Sequence, residues 1–239
     1  MSKRSPNTYT KIHTIFRRSE RGIIQPEEPL SVPEFEYLRK CLWHCEEKID
    51  GTNIRIEIYL ADVGDGLMRR CVRFQGKTDN AQIPPQLLAY LQQEYTAAKI
   101  LAALGWQEYE QIMPDYIGNV EATIYGEGYG KGIQKGAGYS ENQRFVAFDV
   151  KVGESFLDVK DRDGICERAG IPVVPCFGQM TIDEAILCVA NGFESRIPGA
   201  NCQAEGFVLR PLVRLKDARG ARIITKIKHV DFERYYKNG

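Results

Sequence analysis

The sequence predicts an α+β fold in which antiparallel sheets are flanked by helices. Apolar and polar residues alternate with a period of two in several short segments, and two longer segments have the composition and ends typical of helices. Such alternation favours antiparallel sheets, because the strands of buried parallel sheets are apolar throughout. The chain has 239 residues, of which 43% are hydrophobic and 27% charged, enough for one well-packed core, so we expect a single folded domain.

The strand segments are spread along the chain. Residues 1–35 mix charge and proline, which predicts a lead-in arm before a domain that spans residues 36–239. The segment NIRIEIYL places Ile54, Ile56 and Ile58 on one face of a strand and polar residues on the other. Further strands are predicted from CVRFQ, NVEATIYGE, RFVAFDVKV, AEGFVLRP and ARIITKIKHV.

Two segments predict helices. PPQLLAYLQQEYTAAKILAALG begins with proline, continues as an unbroken run of helix formers and ends with glycine, which indicates one long helix. In TIDEAILCVANG, a threonine is followed by two acidic residues and then by an apolar run, a pattern typical of a capped helix start.

The composition limits the possible partners and the cellular location. Lysine plus arginine equal aspartate plus glutamate at 32 each, so any nucleic-acid surface has to be a local patch. The seven cysteines are scattered without metal-ligand spacing, which favours a reducing compartment. The N-terminus lacks the apolar core of a secretion signal, and no stretch approaches the roughly 18 apolar residues of a membrane span. We therefore expect a cytoplasmic protein without a membrane partner.

Lys48 stands in an unusual local setting. In CEEKIDGTN, residues 45–53, it follows an apolar-leaning stretch and directly precedes turn residues that would hold it in place. Lysine is a nucleophile only as the neutral amine, which a protein favours by burial or by neighbouring cations. The alternative is an ordinary strand-end lysine paired with carboxylates in water.

IITKIKHV supplies two cations far downstream. Lys226 and Lys228 are two residues apart, so on a strand both project from one face while Ile227 projects from the other. Two neighbouring cations suit a polyphosphate, although paired lysines also occur on solvated strand faces.

The middle of the chain adds glycines and isolated carboxylates. YGEGYGKGIQKGAGY has six glycines between Gly126 and Gly138, which would let the backbone approach a ligand, but it matches neither the P-loop nor the dinucleotide fingerprint. Glu127 and Glu205 lie in apolar or glycine-rich strand ends, where an unpaired carboxylate is costly. Each is therefore expected to have a partner such as a ribose hydroxyl, a cation or a hydrated metal ion.

Five of these segments together resemble a known family. EKIDGTN, IYGEGYGKGIQKG, RFVAFDV, AEGFVLRP and IITKIK, in this order from about residue 40 to residue 228, resemble nucleotidyltransferase motifs I, III, IIIa, IV and V of polynucleotide ligases, specifically of the RNA ligase 2-like group. The motif I pattern alone recurs by chance, whereas five motifs in order are a specific signal. The resemblance implies a nucleotidyltransferase (adenylation) domain.

The resemblance also implies roles for individual residues. Lys48 would attack the α-phosphate of ATP, become lysyl-AMP and release pyrophosphate. Lys226 and Lys228 would contact the phosphates, help to keep the Lys48 amine neutral and stabilise charge in the transition state. The remaining implied nucleotide-binding residues are Glu47 against the adenine, Ile49, Asn53 at the reacting phosphate, Glu127 on the ribose, and Phe148 stacked on the base, with Phe145 as the alternative because strand phase does not choose between them.

Metal and RNA contacts follow from the same resemblance. Glu205 and Asn53 would position a hydrated Mg²⁺ or Mn²⁺ ion. An arginine of the family binds the RNA 5′-phosphate; here Lys77 occupies the matching slot in RFQGKTDNAQIP, and Arg73 is the alternative. Only 239 − 228 = 11 residues follow motif V, too few for the five strands of an OB fold, so we expect no OB domain.

The leading hypothesis is an ATP-dependent RNA ligase that joins a 5′-phosphate to a 3′-hydroxyl. Its substrates would be nicked or duplexed RNA ends, as in RNA repair, and we expect a monomer, with a protein partner left open. A DNA ligase or an mRNA capping guanylyltransferase would share the lysine chemistry, but these enzymes usually carry an arginine where Asn53 stands and also an OB domain. A catalytically inactive nucleic-acid-binding scaffold is the alternative from another class.

Overall fold

The computed structural model describes residues 7–64, 67–111, 119–134 and 136–238. The chain forms two compact units. Unit 1 comprises Asp50–Val173 with the segment that ends at Tyr9, and unit 2 comprises Thr10–Ile49 with the segment from Val174 onward. The chain thus passes from unit 2 into unit 1 directly after motif I Lys48 and Ile49.

Unit 1 is built on a six-stranded sheet whose neighbouring strands are all antiparallel. The strand order is β5-β4-β3-β6-β7-β8. In chain order, the strands are β3 (Thr52–Asp62), β4 (Leu67–Gln75), β5 (Tyr109–Gln111), β6 (Val120–Tyr129), β7 (Arg144–Val152) and β8 (Ser155–Phe156).

One face of this sheet forms the core of unit 1 with helices. Ile54, Ile56 and Ile58 are fully buried in one cluster with apolar residues of the helices, which confirms the predicted phase of this strand. The opposite face carries Arg55 and Glu57, which are also buried and form an ion pair of 2.7 Å. The helices are α2 (Pro85–Glu94), α3 (Ala97–Leu104) and α4 (Val159–Ala169), and a short 3-10 helix spans Gly136–Gly138.

The predicted long helix is wrong as a single element. The segment forms two helices, because the chain leaves helical geometry at Tyr95 and Thr96. Thr96 has an extended backbone, and its side chain accepts a hydrogen bond from the backbone N–H of Lys99, so it acts as the N-cap of α3. The predicted C-terminal glycine is confirmed, since Gly105 adopts the left-handed conformation after α3.

Unit 2 is built on a five-stranded sheet with the order β1-β11-β10-β2-β9. Its neighbouring strands are antiparallel except for β1 and β11, which are parallel. The strands are β1 (His13–Thr14), β2 (Trp43–Lys48), β9 (Cys176–Met180), β10 (Gly206–Pro211) and β11 (Thr225–Lys228), and the helices of this unit are α1 (Pro33–Tyr37), α5 (Ile182–Asn191) and α6 (His229–Asn238).

Helix α5 begins as its sequence predicts. Thr181 and Glu184 form a capping box, in which each side chain accepts a hydrogen bond from the other residue's backbone N–H. By contrast, the predicted final strand is shorter than expected: β11 ends at Lys228, and α6 begins at the next residue.

Much of the predicted lead-in arm is packed. Ile15, Phe16, Ile24 and Leu30 are buried in the core of unit 2 together with Phe35, so the core begins well before residue 35. Residues 1–6 of the predicted arm lie outside the described residues, and the assignment of residues 36–239 to one adenylyltransferase domain stays a prediction. In the described part of the chain, no helix has the length and apolarity needed to cross a bilayer.

Candidate active site

Lys48 lies in a row of residues across three neighbouring strands of unit 2. Gly206 on β10 is paired with Lys48 on β2 on one side and with Lys228 on β11 on the other. Both ammonium groups bind the same carboxylate: Lys48 Nζ lies 2.6 Å from Glu205 Oε2, and Lys228 Nζ lies 2.6 Å from Glu205 Oε1. The structure therefore brings together three of the predicted site residues, and Glu205 has the cationic partners that its sequence setting requires.

Gly206 lies at the centre of this row for a steric reason. Its φ of +149° favours glycine, and a Cβ atom added there would lie 2.0 Å from the carbonyl oxygen of Ile227. No other residue could occupy this position without moving β11, which carries Lys228.

Lys226 lies in the next row of the same sheet face. Val208 on β10 is paired with Lys226 on one side and with Glu46 on the other. Burial lowers the pKa of Lys226, and the positive charges of Lys48 and Lys228 lower it further. Lys11 of the lead-in adds to this effect, so the face carries a local excess of positive charge.

This arrangement suits a ligand with several phosphate groups. Three lysines on one sheet face give a compact positive charge, and burial reduces its screening by water. Glu205 supplies carboxylate oxygens, the donor type that hydrated Mg²⁺ and Mn²⁺ accept, often through only one or two protein ligands. Among the described residues, no cluster of three or more His, Cys, Asp or Glu side chains is placed to hold a metal ion.

Glu47 and Ile49 flank Lys48 but differ from it in their contacts. Glu47 is 1% exposed and pairs with Phe207, on the core side of the sheet. Its Oε2 atom accepts a hydrogen bond of 2.8 Å from the backbone N–H of Arg196, and burial raises the pKa of its carboxyl group. The carbonyl of Ile49 accepts a hydrogen bond of 3.4 Å from Lys48 Nζ. The predicted adenine contact of Glu47 stays a prediction.

Unit 1 carries Asn53 and Glu127 side by side. The two residues are directly paired between β3 and β6, with both side chains on the sheet face opposite the unit 1 core. Asn53 Oδ1 is buried and has no hydrogen-bond partner within the described part of the chain, so it is an acceptor available to a ligand or to water. This orphan oxygen could accept a hydrogen bond from a metal-bound water, and the predicted role of Asn53 at the reacting phosphate stays a prediction.

Phe148 and Phe145 are distinguished by their packing. Phe145 is fully buried in the core of unit 1 and contacts Tyr95, whereas Phe148 is only partly buried. A bulge between β6 and β7 lets Gly126 pair with Ala147 but Tyr125 with Asp149, so Phe148 is the extra residue. The bulge changes the strand phase, which is why alternation could not choose between the two rings. The geometry favours Phe148.

Phe148 is also in contact with the N-terminal segment. The ring of Tyr9 lies 5.0 Å from that of Phe148, and the Tyr9 hydroxyl donates a hydrogen bond of 2.8 Å to Asp149. Sequence reasoning did not single out Tyr9, because nothing in the local pattern relates it to a strand 140 residues away.

The two candidates for the RNA 5′-phosphate differ in their availability. Arg73 donates a 2.8 Å hydrogen bond to Glu57 and stacks over the ring of Tyr59 at 4.7 Å. Lys77 is exposed on the loop after β4. Buried Arg55 braces that loop, since it donates to the carbonyl of Gly76 at 2.9 Å and to Asp79 at 2.7 Å. Lys77 is therefore the more available of the two side chains, and its role at an RNA 5′-phosphate stays a prediction. The contacts of Arg55 with this loop were not predicted from the sequence.

Comparisons with known proteins identify the family and the fold of the chain. A family model described as RNA ligase matches residues 42–228. A search of curated proteins found no match. Among solved structures, an apo mutant of Naegleria gruberi RNA ligase has a TM-score of 0.57 at 16% identity, covering 98% of this chain and 60% of that one.

Two related structures contain ligands. A mutant of Naegleria gruberi RNA ligase with ATP and Mn has a TM-score of 0.55 at 15% identity, covering 95% of this chain and 63% of that one. Another mutant, with AMP and Mn, has a TM-score of 0.57 at 16% identity, covering 98% and 60% respectively. The present chain thus spans less than two thirds of the length of these chains and shares their fold. With the family model matched over most of the sequence, from motif I to motif V, the chain belongs to the RNA ligase family and has its nucleotidyltransferase fold.

Proposed function

We propose that this protein is an ATP-dependent RNA ligase that acts through a lysyl-AMP intermediate on Lys48. The observation that carries the proposal is the row formed by Lys48, Glu205 and Lys228, with Lys226 on the same sheet face. A nucleophilic amine held beside two further cations is what attack on a nucleotide phosphate requires. The fold shared with Naegleria gruberi RNA ligase, solved with ATP and Mn and with AMP and Mn, supports the choice of nucleotide.

The reaction would proceed in three displacements at phosphorus. Lys48 Nζ attacks the α-phosphate of ATP, so a P–N bond forms as the bond to pyrophosphate breaks. An oxygen of the RNA 5′-phosphate then attacks the lysyl-AMP phosphorus and releases Lys48. Finally, the 3′-hydroxyl of the second RNA end attacks the activated 5′-phosphate and AMP leaves.

The ion pair of Lys48 bears directly on the first step. In this structure Lys48 forms an ion pair with Glu205, and an ammonium group has no free electron pair with which to attack phosphorus. Lys48 must therefore lose a proton and move away from Glu205 before it attacks. Lys228 keeps Glu205 neutralised when Lys48 leaves, because it binds the other oxygen of the same carboxylate.

The remaining assignments follow the resemblance. Lys226 and Lys228 would bind the phosphates, and Glu205 and Asn53 would hold a hydrated Mg²⁺ or Mn²⁺ ion, which would neutralise phosphate charge when bound. On unit 1, Glu127 would bind the ribose and Phe148 would stack on the adenine, with Lys77 available to the RNA 5′-phosphate. The polynucleotide partner would be RNA with adjacent 5′-phosphate and 3′-hydroxyl ends, in a nick or a duplex, as in RNA repair.

Covalent labelling tests the proposal. The purified protein is incubated with ATP labelled at the α-phosphate and with Mg²⁺ or Mn²⁺, and is then run on a denaturing gel. We expect label on the native chain and on a Lys160→Ala control, in which an exposed lysine is removed from α4. Lys48→Ala should remain unlabelled while keeping the native circular dichroism spectrum, because Lys48 is at a strand end and not in the core.

The same assay separates the alternatives. Label from GTP and not from ATP would indicate a capping-type enzyme, and no label on the folded native chain would indicate an inactive scaffold. Label on Lys48→Ala would overturn the assignment of the nucleophile.

A further inference from the structure

A second cluster of reactive groups lies on the same sheet face as Lys48, at the edge of the unit 2 sheet. Cys176 Sγ is 3.8 Å from Nδ1 of His44, and Nε2 of His44 is 3.3 Å from Oε1 of Glu46. Glu46 is 1% exposed and forms a further ion pair with Arg210. A thiol, an imidazole and a carboxylate in contact in this order are the parts of an activated nucleophile.

A β-bulge brings Cys176 to this face. His44 is paired with Gln179, but Glu46 is paired with Cys176, so β9 has one residue more than β2 across this interval. Gly178 accommodates the extra residue with a φ of +91°, which favours glycine. In a regular register Cys176 would pair with Glu47 and point toward the core of unit 2. The bulge therefore exposes the thiol beside His44.

Two further contacts place polar and cationic groups close to Cys176. The backbone N–H of Gly178 donates a hydrogen bond of 3.2 Å to Sγ. The guanidinium of Arg196 donates to the carbonyl of Cys176 at 3.3 Å, which places a fixed positive charge close by. The Cys176 side chain is exposed, so a reagent in solution can reach it.

Most other thiols of the chain are in a different environment. Burial raises the pKa of Cys45 and of Cys166 to about 12, and it also raises the pKa of Cys188 and of Cys202. Cys41 is exposed like Cys176, but within the described residues no hydrogen bond joins its thiol to an imidazole. Cys41 is thus an internal control for exposure without an adjacent base.

We propose that Cys176 is a modification site that forms a mixed disulfide with low-molecular-weight disulfides, with His44 as its base and Glu46 orienting the imidazole. His44 Nδ1 takes the proton of the thiol, and the thiolate attacks one sulfur of the disulfide. A new S–S bond forms as the old one breaks, and the leaving thiolate takes up the proton from His44 or from water. The exchange needs no other oxidant, because the incoming disulfide is reduced as Cys176 is oxidised.

The test compares rates at individual cysteines. The folded chain is treated with oxidised glutathione at pH 7, and adducts are quantified by peptide mass spectrometry at successive times. We expect Cys176 to react about tenfold faster than Cys41 in the same molecules. His44→Gln should slow the reaction of Cys176 by about fivefold and leave Cys41 unchanged, since a base at this position aids proton removal.

The comparison within the native chain keeps the test decisive even if His44→Gln does not fold. A rate at Cys176 no higher than that at Cys41 would refute the proposal. So would a folded His44→Gln variant whose Cys176 reacts at the native rate, because the cysteine would then be merely exposed.

One consequence rests on the proposed function. Cys176 is paired with Glu46, only two residues from Lys48, so an adduct would lie about 7 Å along the strand from the proposed nucleophile. We expect the glutathione adduct to reduce covalent AMP transfer in the native chain and in Cys41→Ser, with recovery on reduction, but to have no effect on Cys176→Ser. An adduct that forms without slowing AMP transfer would refute this consequence alone, and failure of all variants to accept AMP would instead refute the proposed function.

Discussion

At the scale of single residues, the balance of charge around Glu205 is the central feature of unit 2. One carboxylate faces two ammonium groups at 2.6 Å each, and Lys226 adds a third lysine to the face. The site has more positive than negative charge, and this excess costs stability until an anionic ligand is bound. Burial is the first cause of the lowered pKa of Lys226, and the positive charges of Lys48 and Lys228 add to it.

Replacing Lys226 should therefore stabilise the folded protein. Its lowered pKa means that the folded state disfavours the charged amine. We expect Lys226→Met to raise the free energy of unfolding by about 0.5 kcal/mol at pH 7, as is typical for one partly exposed charge interaction. The gain should be complete below the lowered pKa and vanish as the pH rises toward the ordinary lysine value of 10.5, where the native side chain is neutral in both states. Chemical denaturation at several pH values measures this.

Lys228 provides the matched control for stability. It is on the same strand face but is bound to Glu205, so Lys228→Met removes an attractive contact. We expect it to lower the free energy of unfolding by about 0.5 to 1 kcal/mol. If Lys226→Met and Lys228→Met changed the free energy of unfolding equally, the contact of Lys228 with Glu205 would not distinguish the two lysines.

Loss of Lys226, which is expected to stabilise the fold, should slow covalent AMP transfer, and so should loss of Glu205. If Lys226 and Glu205 act on the reacting phosphates, Lys226→Ala and Glu205→Ala should each slow covalent AMP transfer by about 100-fold or more, as when one electrostatic contact to a transition state is lost. Single-turnover labelling with ATP measures the rates, with Lys160→Ala as the control. Near-native rates in both variants would refute the roles assigned to motifs IV and V.

At the scale of elements, the glycines of motifs I and III allow strands and side chains to approach closely. A Cβ atom at Gly51 would lie 2.2 Å from the carbonyl oxygen of Gly128, and one at Gly128 would lie 2.3 Å from a methyl group of Leu87. One at Gly126 would similarly overlap the ring of Phe145. Gly126 and Gly128 of the glycine-rich segment therefore leave room for core side chains. The sequence analysis instead predicted that these glycines let the backbone approach a ligand.

Gly51→Ala should accordingly destabilise the fold. The clash is with backbone, which cannot move as a flexible side chain can, so we expect a loss of about 1 to 3 kcal/mol in the free energy of unfolding, measured by urea denaturation.

Gly164→Ala is the control for this prediction. Gly164 is in α4, and its added Cβ atom would come no closer than 3.4 Å to the end of the Arg168 side chain. Alanine should stabilise this helix by about 0.5 to 1 kcal/mol. If Gly51→Ala were as stable as the native chain, the close approach of Gly51 to the carbonyl oxygen of Gly128 would be refuted.

At the scale of the whole molecule, the formal net charge of zero bears on how RNA would be bound under the proposed function. In the basic patch formed by Lys11, Arg17 and Arg18, Arg18 is paired with Asp231 at 2.5 Å, while Lys11 and Arg17 are exposed. Few phosphate contacts imply that binding depends weakly on salt, so discrimination would come from the reacting nucleotides.

Under the proposed function, we expect sealing to need ribonucleotides on the 3′-hydroxyl side of a nick and to tolerate DNA on the 5′-phosphate side. The 2′-hydroxyl is the group that distinguishes RNA from DNA at a given position. Nicked duplexes with RNA or DNA placed separately on each side measure the ligation rates. Equal sealing of an all-DNA nick would refute the RNA preference while leaving the lysyl-AMP chemistry intact.

Local sequence patterns determined most strands, the caps of α5 and the motif set that identifies the family. Alternation of Ile54, Ile56 and Ile58, and the Thr181 to Glu184 spacing, depend only on neighbours in sequence, so they could be interpreted without knowledge of the fold. The motif order likewise singled out Lys48, Glu205, Lys226 and Lys228 as one group, which the structure brings together on unit 2.

Only the tertiary structure decided the features that depend on contacts between distant segments. The break between α2 and α3, the buried lead-in around Ile15 and the different burial of Phe148 and Phe145 follow from packing and from a bulge, neither of which has a local signature. The pairing of Cys176 with Glu46 likewise depends on one extra residue in β9. A single inserted residue reverses which side chains face the core, and that reversal is set by the register between strands, which the sequence of one strand does not contain.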